Sequence, residues 1–165
     1  LIHPFHQEQL QPASYDLTLG TTKAVMHKEI PPRFLVGTDT PNYVYTTYEE
    51  DGLWMLPPGQ LALFQTAETL WLPPDVAGKF EGKSSLGRIG LMTHITAGFI
   101  DPGFHGVLTL EVYNCGRLPL ELVPGIRIGQ VAFHRLESAP TRTYGDAQLG
   151  SHYQGATQVE GGRFG

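Results

Sequence analysis

The densest polar run in the chain is Glu81-Gly82-Lys83-Ser84-Ser85-Leu86-Gly87-Arg88-Ile89-Gly90. Small residues at the head of a short helical turn let backbone N–H groups approach an anion. Ser84 and Ser85 can cap such a turn or donate their hydroxyls, and Lys83 adds positive charge. Ser84 and Arg88 are four apart, so a helical turn puts them on one face. The same run would also serve as a capped surface turn with two solvated cations, and residue types alone leave both readings open. It is not a Walker loop, because the spaced glycine before Gly-Lys-Ser is missing.

Two further features carry titratable groups. In His94-Ile95-Thr96-Ala97-Gly98-Phe99-Ile100-Asp101-Pro102-Gly103-Phe104-His105-Gly106, Asp101 heads a Pro-Gly turn. Such an Asp commonly bonds backbone N–H groups. It can also accept a hydrogen bond from a ligand hydroxyl, with Phe104 as an apolar wall. His94 and His105 are of metal-ligating type, but histidines scattered in this way are also ordinary surface or core residues. His3 and His6 have nothing nearby in sequence to complete a site. Glu111 interrupts an apolar and aromatic run. It either faces water or is a desolvated general base balanced by an arginine such as Arg88.

The elements that must position these residues read as strands. Pro58-Gly59, Pro102-Gly103 and Pro124-Gly125 each separate apolar runs, as turns between strands do. Leu61 to Thr66 is one expected strand. Val107 to Tyr113 alternates, with Leu108, Leu110 and Val112 on one face and Val107, Thr109, Glu111 and Tyr113 on the other. Leu118 to Val123 and Ile126 to Leu136 continue the pattern, which fits a sandwich or barrel. Residues 37–53 read as a loop or excursion. Residues 137–165 read as a polar, Gly-rich tail that stays mobile unless a ligand or partner holds it.

Composition agrees with one β domain. The 165 residues include 20 Gly and 13 Pro, which are poor in helix interiors and common at turns. Apolar residues make up 41% and charged residues 16%, which excludes a disordered chain. A net charge of −5 argues against a nucleic-acid-binding surface but leaves room for a small anionic ligand at a local cluster of bases. The single Cys115 excludes an intramolecular disulfide and any site needing two thiolates, and it fits a reducing, cytoplasmic compartment. No run approaches the length of a membrane-spanning helix, so no membrane partner is expected. The first six residues lack a signal-peptide layout and an initiator Met, so residues are expected upstream.

Four segments together resemble a known family. Gly82 to Leu91, Thr96 to Phe104, Leu110-Glu111-Val112-Tyr113-Asn114 and Pro124-Gly125-Ile126-Arg127-Ile128-Gly129-Gln130 are similar to the dCTP deaminases of the dUTPase superfamily. Gln11-Pro12-Ala13-Ser14-Tyr15-Asp16-Leu17 resembles that family's N-terminal motif. The likeness runs from about residue 9 to 154, in the family's order, and the family's usual leading helix is not in this sequence. The resemblance implies an all-β, distorted jelly-roll or β-barrel of the dUTPase-like type with short helical turns. It implies a domain over 1–136, a polar tail over 137–165 able to close over the site, and a homotrimer with shared active sites. It implies hydrolytic deamination of dCTP, with magnesium bound through the substrate triphosphate and no zinc or other protein-bound metal. One cysteine agrees independently, because zinc nucleotide deaminases use a Pro-Cys-x-x-Cys pair.

The family's functional residues carry over position by position. Glu111 matches the general base that takes a proton from water attacking C4. Ser84 and Arg88 match residues that hold this water and the developing charge. Ala97 matches the position whose carbonyl places the water. Lys83, Ser84 and Ser85 would cradle phosphates within the substrate-binding run Lys83-Ser84-Ser85-Leu86-Gly87-Arg88. Asp101 would bind the sugar 3′-hydroxyl, and Phe104 would pack under a ring lacking a 2′-hydroxyl. Thr109, Leu110 and Glu111 would meet the base, Gln130 matches a polar position near the phosphates, and Tyr144 matches a phosphate contact. The tail departs from the family's Lys-Tyr-x-x-Gln: His152 replaces the Lys, Ala156 stands at the Gln, and Gln154 is the nearest substitute.

Gly98-Phe99 resembles the bifunctional, dUMP-forming members, and a glycine there would leave room for a second water near the α-phosphate. The main reading is therefore deamination coupled to triphosphate cleavage, giving dUMP, ammonia and diphosphate. The alternatives are a deaminase releasing dUTP, a dUTP diphosphatase only, and a β-sandwich binding module without activity.

Overall fold

In the computed structural model, residues 1–26, 33–48 and 54–163 are described. They form β1 (Ile2–His3), β2 (Tyr15–Met26), β3 (Tyr43–Thr47), β4 (Trp54–Leu56), β5 (Leu61–Trp71), β6 (Val76–Gly82), α1 (Ser84–Gly87), β7 (Leu91–Met92), β8 (Phe99–Ile100), β9 (His105–Asn114), β10 (Leu120–Leu122) and β11 (Arg127–Arg135). A single 3-10 turn covers Gln7–Gln9. The main sheet runs β7-β9-β5-β2-β11-β6-β8, with β1 on β5 and β3 on β2, and every strand pair is antiparallel. β4 and β10 make a second, two-stranded sheet. The chain forms the expected all-β fold, as a curled antiparallel sheet.

The punctuation works as read. Gly59, Gly103 and Gly125 follow their prolines with φ of 76°, 86° and 86°, a region that favours glycine. The expected strands are present, with β5 extended to Trp71, β9 spanning His105–Asn114 and β10 trimmed to Leu120–Leu122. Register shifts interrupt the β5–β9 and β2–β5 ladders, as bulges do where a sheet curls. Leu17, Leu19, Phe64, Leu70, Leu110, Val112, Ile128 and Val131 close the core, each at most 1% exposed.

Two expectations change. Within the presumed excursion at 37–53, Tyr43–Thr47 pairs with β2 from Thr22↔Thr47 to Met26↔Tyr43. Its β-branched and aromatic residues suit an edge strand, and most of them stay exposed, so no alternation announces it. The part at 49–53 lies outside the described residues. The tail is held by its own chain. Ala156 bridges Gly106 in parallel, Val107 N donates to Ala156 O at 2.9 Å, and Gly155 N donates to His105 O at 2.7 Å. Val159 is 1% exposed and packs with Ala24 and Leu63.

Candidate active site

A cavity of about 360 Å³ opens between β9, the segment before β8 and the docked tail. β9 contributes Thr109, Leu110 and Glu111, the Ala97–Asp101 stretch contributes Ala97, Phe99 and Asp101, and Phe104 lies behind the following turn. His94, Tyr43, Tyr144, Tyr153 and Glu160 complete much of the wall. The strand geometry explains Glu111. It pairs with Leu63 of β5, and its half-buried side chain stands on the cavity side. Its carboxylate accepts a hydrogen bond from Ile95 N at 3.3 Å.

Asp101 begins the turn through its backbone, Phe104 N donating to Asp101 O at 3.2 Å, and its side chain is exposed at the cavity. Phe104 is 7% exposed and meets Tyr144 edge-on at 5.5 Å. Burial raises the Tyr144 and Tyr43 hydroxyls above the usual tyrosine pKa. His94 lies edge-on to Phe80 at 5.6 Å, and its Nδ1 is buried without a hydrogen-bond partner among the described residues. No group of three or more His, Cys, Asp or Glu among the described residues is placed to hold a metal ion.

The Lys83–Arg88 run lines no part of this cavity. It forms a single helical turn, with Leu86 N and Gly87 N both bonding Lys83 O at 3.0 Å and Arg88 N bonding Ser84 O at 3.1 Å. Ser84, Ser85 and Arg88 are exposed. The serines do not cap the turn: Lys83 is the N-cap, with no side-chain capping bond. Lys83 Nζ instead sits 2.6 Å from Asp16 Oδ1. Among the described residues no ion pair joins Arg88 to Glu111 within one chain, so the expected charge balance is not met inside the subunit. Gln130 also lines no part of the cavity, and its Oε1 accepts from Ser14 Oγ at 2.7 Å.

The tail residues divide. Tyr144 lines the cavity, while His152 lies in a neighbouring depression with Arg142 and Leu149. Gln154 is a clasp: it accepts from His105 N at 3.0 Å and donates to Gly103 O at 2.9 Å. Phe99 is exposed at the cavity and Gly98 is buried.

A family model described as dCTP deaminase-like matches residues 1–136. The chain belongs to this family. A relative from Leifsonia xyli named "dCTP deaminase, dUMP-forming" is 44% identical over 155 residues, 93% of this chain and 77% of the relative. One from Nocardioides with the same name is 43% identical over 155 residues, 93% of this chain and 81% of that one. Among solved structures, the 2′-deoxycytidine 5′-triphosphate deaminase from Agrobacterium tumefaciens matches with a TM-score of 0.61 at 24% identity. That match covers 79% of this chain and 42% of the other. The native EIAV dUTPase matches with a TM-score of 0.52 at 19% identity, over 88% of this chain and 92% of the other. These two likenesses establish the fold the family member shares.

Sequence reasoning missed Tyr43, Glu160 and Asp16. The first two come from stretches read as excursion and tail, where no periodicity shows which face a residue takes. Asp16 was visible only as part of the N-terminal motif.

Proposed function

We propose that the protein hydrolytically deaminates dCTP and then cleaves the dUTP formed in the same site, giving dUMP, ammonia and diphosphate. The observation that carries this is Glu111, a carboxylate on the wall of a largely apolar cavity, on a strand within the span that matches the dCTP deaminase-like family model. The names of relatives 44% and 43% identical support the dUMP-forming outcome.

In this mechanism Glu111 takes a proton from water as the oxygen adds to C4 of cytosine. It passes protons to the exocyclic nitrogen as the C4–N bond breaks and ammonia leaves. The Ala97 carbonyl orients the water. Asp101 accepts a hydrogen bond from the sugar 3′-hydroxyl, and the Phe104 ring excludes a 2′-hydroxyl by contact. A second water then attacks the α-phosphate and releases diphosphate. The triphosphate arrives as its magnesium complex, which offsets phosphate charge and keeps several waters on the metal.

The active unit in this reading is a homotrimer in which the Ser84–Arg88 turn of one subunit completes the cavity of a neighbour. The exposure of Ser84, Ser85 and Arg88, and their absence from the lining of their own subunit's cavity, support it. A cytoplasmic location fits the free, exposed Cys115. No described helix is long and apolar enough to cross a membrane.

Incubating dCTP and magnesium with the protein and separating the products tests the reading. The expected products are dUMP and diphosphate. Accumulation of dUTP alone would make it a deaminase only. Turnover of dUTP but not dCTP would make it a diphosphatase, and no turnover of either would leave a binding module.

A further inference from the structure

Asp16 is fully buried, and a buried carboxylate is costly unless its lone pairs are satisfied. Lys83 Nζ approaches Oδ1 at 2.6 Å, and Arg127 Nη1 and Gln11 Nε2 approach Oδ2 at 3.3 and 3.4 Å. Gln9 Nε2 donates to its backbone carbonyl at 2.7 Å. β11 lies between β2 and β6, so residues at the head of β2 reach across it toward the end of β6. Ser14, two residues before Asp16, does the same by relay. Its hydroxyl donates to Gln130 Oε1 at 2.7 Å, and Gln130 Nε2 reaches Gly82 O at 3.5 Å.

Residues 82 and 83 are thus both tied to the N-terminal motif, and α1 begins at the next residue. The turn itself has little to hold it. It is four residues long, has no side-chain cap and buries no residue. A helix this short is not stable by propensity, so its placement depends on its root.

We propose that Asp16 is a positioning residue that fixes the Ser84–Arg88 turn through Lys83, with Ser14 and Gln130 steadying the preceding peptide. Lys83, with its side chain 26% exposed, then acts as a strut rather than as a phosphate ligand. The inference rests on the reading of Ser84 and Arg88 as the residues that meet the nucleotide. A turn displaced by about 1 Å can cost on the order of 100-fold in rate even when no reacting group is changed.

Asp16→Asn tests this against a matched control, Glu68→Gln. Glu68 is equally buried and accepts from Gln9, Thr18 N and the Thr18 hydroxyl; among the described residues it makes no bond to Lys83. Asp16→Asn is expected to lower kcat on dCTP by about 10- to 100-fold, while Glu68→Gln lowers Tm and leaves kcat near wild type. Equal loss of kcat in both, or wild-type kcat in Asp16→Asn, overturns the proposal. If Asp16→Asn does not fold, Lys83 decides. Lys83→Gln, which removes the charge paired with the Asp16 carboxylate, should lose kcat to about the extent expected for Asp16→Asn. A rise in KM with unchanged kcat in Lys83→Gln would make Lys83 a phosphate ligand instead. Amide hydrogen exchange across Ser84–Arg88 needs no substrate, so it separates this proposal from the functional reading. Faster exchange in Asp16→Asn than in Glu68→Gln is expected, and equal exchange overturns the proposal even if dCTP proves not to be a substrate.

Discussion

Gly98 lies directly against the main chain of Phe80. Phe80 N donates to Gly98 O at 2.7 Å, and a Cβ added at Gly98 would come 2.6 Å from Phe80 O and 3.2 Å from His94 Cε1. Its φ is outside the left-handed region, so the glycine serves close approach and not an unusual backbone conformation. This changes the physical reason expected for it. A side chain there would point at Phe80 O of β6 and at the His94 ring.

Gly98→Ala should therefore be costly. The extra carbon must push β6 and the segment before β8 apart, at about 1–3 kcal/mol for overpacking of this kind. Deamination and dUTP cleavage should fall together, and Gly98→His should fall further. Thermal melts combined with product analysis check this. An alanine variant that melts like wild type and accumulates dUTP would restore the water-space explanation.

Glu111→Gln keeps the shape of the side chain and can still accept the Ile95 hydrogen bond through its amide oxygen. It removes the proton acceptor. The expected loss in kcat is about 10²- to 10⁴-fold with an unchanged Tm. Near-normal turnover by the purified variant would take Glu111 out of the mechanism.

Subunit mixing tests the shared site. Ser84→Ala and Glu111→Gln subunits should each be nearly inactive alone. Under the proposed shared-site trimer, each site of a mixed trimer would draw Ser84 from one subunit and Glu111 from the next, so equal random mixing would rebuild about one site in four. Self-contained sites would recover no activity on mixing.

Val159 anchors the tail beside the cavity. Its N–H donates to Gln65 Oε1 at 2.6 Å, and the next amide, Glu160 N, donates to Thr109 Oγ1 at 3.1 Å. Val159→Asp places a charge in the apolar cluster with Ala24 and Leu63. Amides 159 and 160 should then exchange rapidly, and KM for dCTP should rise about tenfold as that wall of the cavity is lost. Unchanged exchange and KM would mean that this anchoring does not shape the site.

Much of the framework was legible because local chemistry dictates it. Pro-Gly pairs stop strands wherever they occur, and period-two alternation marks β9 without reference to any partner. Glu111 stood out because a carboxylate in such a strand needs a reason. Ser84 and Arg88 were paired by helical spacing alone, and their turn is the one the chain forms.

Other features depend on contacts between residues far apart in sequence, for which no spacing rule exists. Lys83 and Asp16 are separated by 67 positions and meet only because β11 sets β2 and β6 a strand apart. Taken alone, Lys83 looks like a phosphate-binding cation, and the buried carboxylate opposite it is what gives it another task. Tyr43 reaches the cavity because an edge strand with no alternation pairs with β2. Ala156 and Val159 hold down a tail whose composition predicts mobility, through a bridge and a cluster that exist only once β9 and β5 are in place. Likewise the need for glycine at 98 is a property of the Phe80 carbonyl beside it, which the residues around 98 do not reveal. Sequence determined which groups could do chemistry, because that depends on residue type and near neighbours. Tertiary structure decided which of them share a cavity, because burial and approach depend on strands brought together across the whole chain.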